Sequence, residues 1–159
     1  MAKTEKVTQL TKDQLQLIER MGVILEGGGL APAPARVSAL LLVSHETELP
    51  FEEISRLLNL SKSATSNAIN LLLTFQRLEY VTRPGERRRY FRVKMFNWEE
   101  DMKEKFVAVG QMSAMYKEVL RQRPKSTPEF NRGLADMTDF LDHIVKEMPA
   151  LFKKWEQKS

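Results

Sequence analysis

Apolar residues recur at helical spacing along most of the chain, and the pattern changes once to the alternation of a strand. In residues 11–26, Leu15, Ile18, Met21, Gly22 and Leu25 share one face, which predicts an amphipathic helix. Thr11 or Asp13 is placed to cap its start. Gly27, Gly28 and Gly29 end it, because consecutive glycines carry the largest entropic cost of remaining helical. Pro34 suits the first turn of a second helix, where a missing N–H is harmless, and Val37, Leu40, Leu41 and Val43 make that helix apolar as far as His45. Leu49 and Pro50 read as a short extended piece. Residues 51–58 form a short helix with Phe51, Ile54, Leu57 and Leu58 inward and Glu52, Glu53 and Arg56 outward. Asn59 and Leu60 make a tight turn, since Asn tolerates left-handed backbone. Ser61 then caps a helix over residues 62–77, whose inner face is Ala64, Ala68, Ile69, Leu72 and Leu73.

Strand alternation replaces this pattern in residues 79–94. Tyr80 to Arg83 is one strand, Pro84-Gly85-Glu86 the turn, and Arg88 to Lys94 the second strand, with Phe91 and Val93 alternating with Tyr90 and Arg92. The remainder is helical. Trp98, Met102, Phe106, Val109, Met112, Tyr116 and Val119 form a stripe over residues 98–122. After a polar break containing Pro124 and Pro128, the residues Phe130, Leu134, Met137, Leu141, Ile144 and Met148 follow heptad spacing, the mark of a core or dimer seam. Pro149 predicts a bend or restart there.

The resulting order is helix, short helix, tight turn, helix, hairpin, which is that of a winged helix-turn-helix. The predicted fold is mainly α with a small β-hairpin wing. Residues 31–95 form the winged helix-turn-helix core, and helices in residues 1–30 and 96–159 serve as N- and C-terminal dimerisation elements.

Charge sharpens this picture. The chain carries 25 Lys/Arg against 21 Asp/Glu, a net +4. Residues 61–94 hold eight of the cations and only two of the acids, a local excess larger than that of the whole chain. A patch so concentrated calls for a polyanion, most commonly nucleic acid, although a solubilising face is the plainer alternative. The helix that opens this stretch begins with Ser61, Lys62, Ser63, Thr65, Ser66, Asn67 and Asn70. Short polar side chains let a helix enter a major groove closely and bond to base edges, and its N–H terminus suits a phosphate. The hairpin contributes Arg83, Arg87, Arg88, Arg89, Arg92 and Lys94, with Gly85 at its tip. Arginine forks match phosphate oxygens and enter a narrow minor groove. These thirteen residues are the predicted DNA-binding set. Lys62, Ser63, Thr65, Ser66 and Asn67 are expected on bases, and the wing cations are expected to give sequence-independent affinity.

At these residues the sequence resembles the GbsR/MarR-type transcriptional regulators. The matching segments are Pro34-Ala35-Arg36-Val37 leading into LLLV, then FEEISRLLNLSKSATSNAINLLL, then RPGERRRYFRV. The resemblance covers roughly residues 15–95. It implies a homodimer on pseudo-palindromic operator DNA, outer helices that dimerise, and room among them for a small effector. Many relatives carry Gly in the sharp turn where Asn59 stands here.

Other functions find less support. A winged helix can also serve as a protein-interaction module that never touches DNA. Phe96, Trp98, Phe106, Met112, Met115, Tyr116, Phe140, Phe152 and Trp155 could line an effector pocket, but ordinary packing explains them more simply. Asp136, Asp139, Asp142 and His143 hint at a metal site, and Asp136, Asp139 and His143 share a helix face as metal ligands can, yet a solvated face is the commoner meaning, so no metal or cofactor is expected. With no cysteine, thiolate zinc sites and cysteine nucleophiles are excluded. Gly27-Gly28-Gly29 lacks the Lys-Ser/Thr of a phosphate loop, and no serine–histidine arrangement suggests catalysis. The polar N-terminus and an apolar run no longer than Leu40 to Val43 point to a cytoplasmic protein without a membrane span.

Overall fold

A computed structural model of the chain describes residues 8–95 and 98–158, in two compact units divided between Phe96 and Asn97. The first unit begins with α1 (Lys12–Gly27), where Thr11 and Gln14 form a reciprocal capping box. Helix α2 (Pro32–Val43) starts two residues earlier than the sequence pattern suggested. Pro32 and Pro34 both fit in its first turn, where backbone N–H groups have no helical acceptor. It also stops short of His45, at Ser44, whose backbone turns extended. Helix α2 is the spine of the unit, with Val37, Ala39 and Leu40 wholly buried.

The Leu49–Pro50 segment is a true strand, β1, and Pro50 leads directly into α3 (Phe51–Leu57). Asn59 adopts φ 49°, so it fills the left-handed position that a glycine would otherwise take. The Ser55 hydroxyl donates to the Leu60 carbonyl and secures the turn. Helix α4 (Lys62–Thr74) is capped by Ser61, whose Oγ accepts from the Ala64 N–H. It ends three residues before the expected 77. Gln76 takes φ 53°, and the Arg77 N–H turns back to the Leu72 carbonyl. This is a glycine-free version of a left-handed helix stop, so the sequence carried no glycine to announce it.

Strands β2 (Leu78–Thr82) and β3 (Arg89–Val93) form the hairpin, with Tyr80 opposite Phe91. The expected two-stranded wing is in fact a three-stranded antiparallel sheet, order β1-β3-β2, because Leu49 pairs with Phe91 and Pro50 with Tyr90. Proline is admissible in β1 because that strand is an edge. Ile18, Leu40, Leu49, Ile54, Leu72 and Phe91 bring α1, α2, β1, α3, α4 and β3 into one core.

The second unit is an antiparallel-type pair of long helices, α5 (Trp98–Gln122) and α6 (Pro128–Glu156). Small residues set their approach. Ser113 and Thr138 are buried, and a Cβ added to Gly110 would sit 3.6 Å from Val145. Helix α6 does not restart at Pro149 but runs through it without a break. The turns beyond it are held to α5 by Phe106 against Phe152 and Trp98 against Trp155, centroids 6.3 and 6.0 Å apart. The heptad stripe also resolves into two faces. Leu134, Leu141 and Met148 lie with Thr138 and Val145 on the half-buried side, whereas Phe130 and Met137 stand exposed with Phe140 and Leu151.

Candidate nucleic-acid interface

The start of α4 presents Ser61, Lys62, Ser63, Asn67 and Asn70 to solvent, with Ser66 half-buried among them. Ser63, Asn67 and Asn70 follow i, i+4, i+7 spacing and so share one helix face. The hydroxyls of Ser61 and Ser63 lie 3.1 Å apart. Thr65 is a correction. It was expected on a base edge, but its exposure is 0% and its hydroxyl donates to the Ser61 carbonyl at 3.0 Å. Its position, with Ala68, Ile69 and Leu72 at i+3, i+4 and i+7, was the signal for this; the polar neighbours obscured it.

The wing turn is built on two residue types. Gly85 has φ 81°, and the Glu86 N–H donates to the Arg83 carbonyl at 3.1 Å. Pro84 followed by a positive-φ glycine is the pattern of a type II turn. Arg87 and Arg88 are exposed in the segment between this turn and β3. Arg89 is exposed at the start of β3, its guanidinium 5.0 Å from the Tyr80 ring centre. Lys94 is half-buried where β3 ends, and its N–H donates to the Arg77 carbonyl, joining the wing to the end of α4.

Arg83 and Arg92 are bound within the chain. The Arg83 guanidinium donates twice to Glu48 Oε1, at 3.0 Å from Nε and 2.6 Å from Nη2, and stacks 3.8 Å from the Tyr90 ring centre. The Glu48 hydrogen bond raises the Arg83 pKa above its ordinary value. Tyr90 donates its hydroxyl to Glu86 at 2.6 Å, and that bond raises the phenol pKa. Arg92 Nε donates to Glu79 at 2.7 Å across the β2–β3 pair. Phe91 anchors the hairpin in the core, while Tyr90, the adjacent residue of β3, faces the other side of the strand and contacts Arg83. Glu48, Glu79 and Glu86 were not anticipated in this role. Glu79 opposes Arg92 directly in the strand register and was in principle readable; Glu48 lies 35 residues from Arg83 and was not.

Asp136, Asp139 and His143 are exposed, and among the described residues no group of three His, Asp or Glu side chains is placed to hold a metal ion. Phe96 lies outside the described residues, while Trp98, Phe106, Phe152 and Trp155 pack on one another in pairs. No helix among the described residues is long and apolar enough to cross a membrane.

The first unit has a winged helix-turn-helix architecture, with α3, the Asn59 turn and α4 followed by the β2–β3 hairpin. A crystal structure of a transcriptional regulator shares its fold with a TM-score of 0.72 at 24% identity, over 91% of this chain and 99% of that one. The family described as MmpR5-like MarR family transcriptional regulator matches residues 97–158. The HTH-type transcriptional regulator MmpR5 of Mycobacterium tuberculosis is 24% identical over 147 residues, covering 92% of this chain and 89% of the relative.

Proposed function

We propose that this chain is a homodimeric, sequence-specific, double-stranded-DNA-binding transcriptional regulator that acts in the cytoplasm and is not an enzyme. The observation that carries this is that one compact unit holds both a small, polar, solvent-exposed start of α4 and exposed Arg87 and Arg88 between the wing turn and β3. Ser61, Lys62, Ser63, Ser66, Asn67 and Asn70 read base edges or position the helix on phosphates in the major groove. The wing, through Arg87, Arg88, Arg89 and Lys94, supplies backbone and minor-groove affinity. Within the MarR group, the segments quoted above resemble the GbsR-type members.

Dimerisation is supported by apolar surface that each unit leaves in solvent. On α6, Met137 and Phe140 are 42% and 62% exposed; on α1, Ile24 is 74% exposed. A second copy of the chain covers these residues, and the two α4 helices then address successive major grooves about 34 Å apart on a pseudo-palindromic operator. Effector responsiveness rests on less: Trp98 and Trp155 each keep nearly half of their surface exposed, area on which an apolar or cationic molecule can stack.

Selection of bound duplexes from a random library tests the reading. Enriched inverted half-sites with one-turn spacing support it. No enrichment, together with no salt-dependent binding to random duplex, favours a protein-interaction module. A metabolite panel that leaves the melting temperature unmoved removes the effector.

A further inference from the structure

We infer that Arg83 is a positioning residue of the wing, latched by Glu48, and not one of its phosphate contacts. The inference rests on the DNA-binding reading above and concerns Arg83 itself. Glu48 immediately precedes β1, and its side chain is only 19% exposed. Arg83 Nε and Nη2 both donate to Glu48 Oε1, and the same guanidinium stacks 3.8 Å from the Tyr90 ring centre. Tyr90 in turn holds Glu86, which sits in the wing turn, and the Glu86 N–H returns to the Arg83 carbonyl. Glu48, Arg83, Tyr90 and Glu86 therefore link the loop before β1, the end of β2, strand β3 and the turn.

The electrostatic consequence is direct. An arginine neutralised by a largely buried carboxylate attracts few counterions, so binding DNA through that region releases little salt on its account. Turning Arg83 toward a phosphate would also leave Glu48 behind as a poorly solvated charge without its partner. Arg83 thus contributes to affinity by fixing where the turn, with Arg87 and Arg88, is held.

The test uses the full chain and a random-sequence duplex, with binding followed by fluorescence anisotropy across a salt titration. Glu48→Gln and Arg83→Ala are each expected to weaken binding about fivefold, the scale of one ion pair, with an unchanged slope of log affinity against log salt. The charge swap Glu48→Arg with Arg83→Glu is expected to recover most of the loss. Arg83→Ala flattening the slope by about 0.9, the value of one phosphate contact, overturns the inference. So does tighter binding by Glu48→Gln, or a swap that recovers nothing. A second readout needs no DNA: hydrogen exchange at the Glu86 amide should quicken in Glu48→Gln, and unchanged exchange overturns the latch. A wild-type chain that binds no duplex at any salt sinks the DNA-binding reading, while amide exchange still decides the latch.

Discussion

Gly22 of α1 lies directly under the guanidinium of Arg36 on α2: a Cβ at Gly22 would stand 3.2 Å from Arg36 Cζ. Arg36 is held there from both sides, by Glu19 at 3.0 Å and by Glu26, which lie three residues before and four after Gly22 on the same helix face. The glycine therefore admits an ion-pair clamp between α1 and α2. Gly22→Ala should change stability little, because about 1 kcal/mol of helix propensity gained is offset by crowding of a held side chain. Gly22→Leu should cost about 2 kcal/mol in urea unfolding, and clearly less in an Arg36→Ala background. Equal costs in the two backgrounds would show that the two residues are not coupled.

Thr65 and Asn67, two positions apart on α4, should respond to mutation in different ways. Thr65 is buried with its hydroxyl satisfied, so Thr65→Ala should lower stability by about 1–2 kcal/mol and leave the preferred duplex unchanged. Asn67 is exposed, so Asn67→Ala should leave stability near wild type and relax the preference at one base pair by about 1–3 kcal/mol. Melting curves and binding to a panel of single-base operator variants separate the two.

Such contrasts mark what could be read from the chain alone. Helix faces were legible wherever burial follows a regular period, as for Ile54, Ala68, Ile69 and Leu72, and so was the placement of the turn at Asn59. Thr65 was misplaced because a β-branched hydroxyl residue in a polar run fits either face, and only the period decides. The stop of α4 at Thr74 was hidden because Gln76 accepts a left-handed conformation that composition associates with glycine. The pairing of β1 with β3 and the Glu48–Arg83 pair join positions more than thirty residues apart, so no local pattern encodes them, although Leu49 and Pro50 read as extended. Pro149 looked like a break because sequence shows the lost N–H, whereas the α5 contacts that keep the following turns in place are tertiary.

At the wing turn, Arg87→Ala and Arg88→Ala should weaken binding to every duplex, specific or random. Each should reduce the magnitude of the salt slope by about 0.9, as expected for one lost phosphate contact. Anisotropy titrations at several salt concentrations measure this. Unchanged slopes in both variants would remove the wing turn from the interface.

The outer face of α6 should govern assembly. Met137 and Phe140 are exposed there, while Thr138 between them is buried against α5. Met137→Glu with Phe140→Glu should therefore yield a monomer that keeps its helical circular dichroism, because Thr138, which meets Ser113 of α5, is unchanged. Sedimentation velocity reads the oligomeric state. A double variant that sediments as the wild type does would place the seam elsewhere.

Acid should weaken the α5–α6 pair through Asp142. Lys117 and then Ser113 donate to its carboxylate and hold its pKa below the ordinary carboxylate value. A depressed folded-state pKa gives stability that is complete above the unfolded value, near 3.9, and is lost as pH falls through the folded one. Asp142→Asn should thus be less stable than wild type at pH 7, and the gap should close as pH drops below about 4. Urea midpoints of both proteins across that range supply the comparison. A gap that stays constant with pH would mean that the loss in Asp142→Asn comes from packing or hydrogen-bond geometry and not from the carboxylate charge.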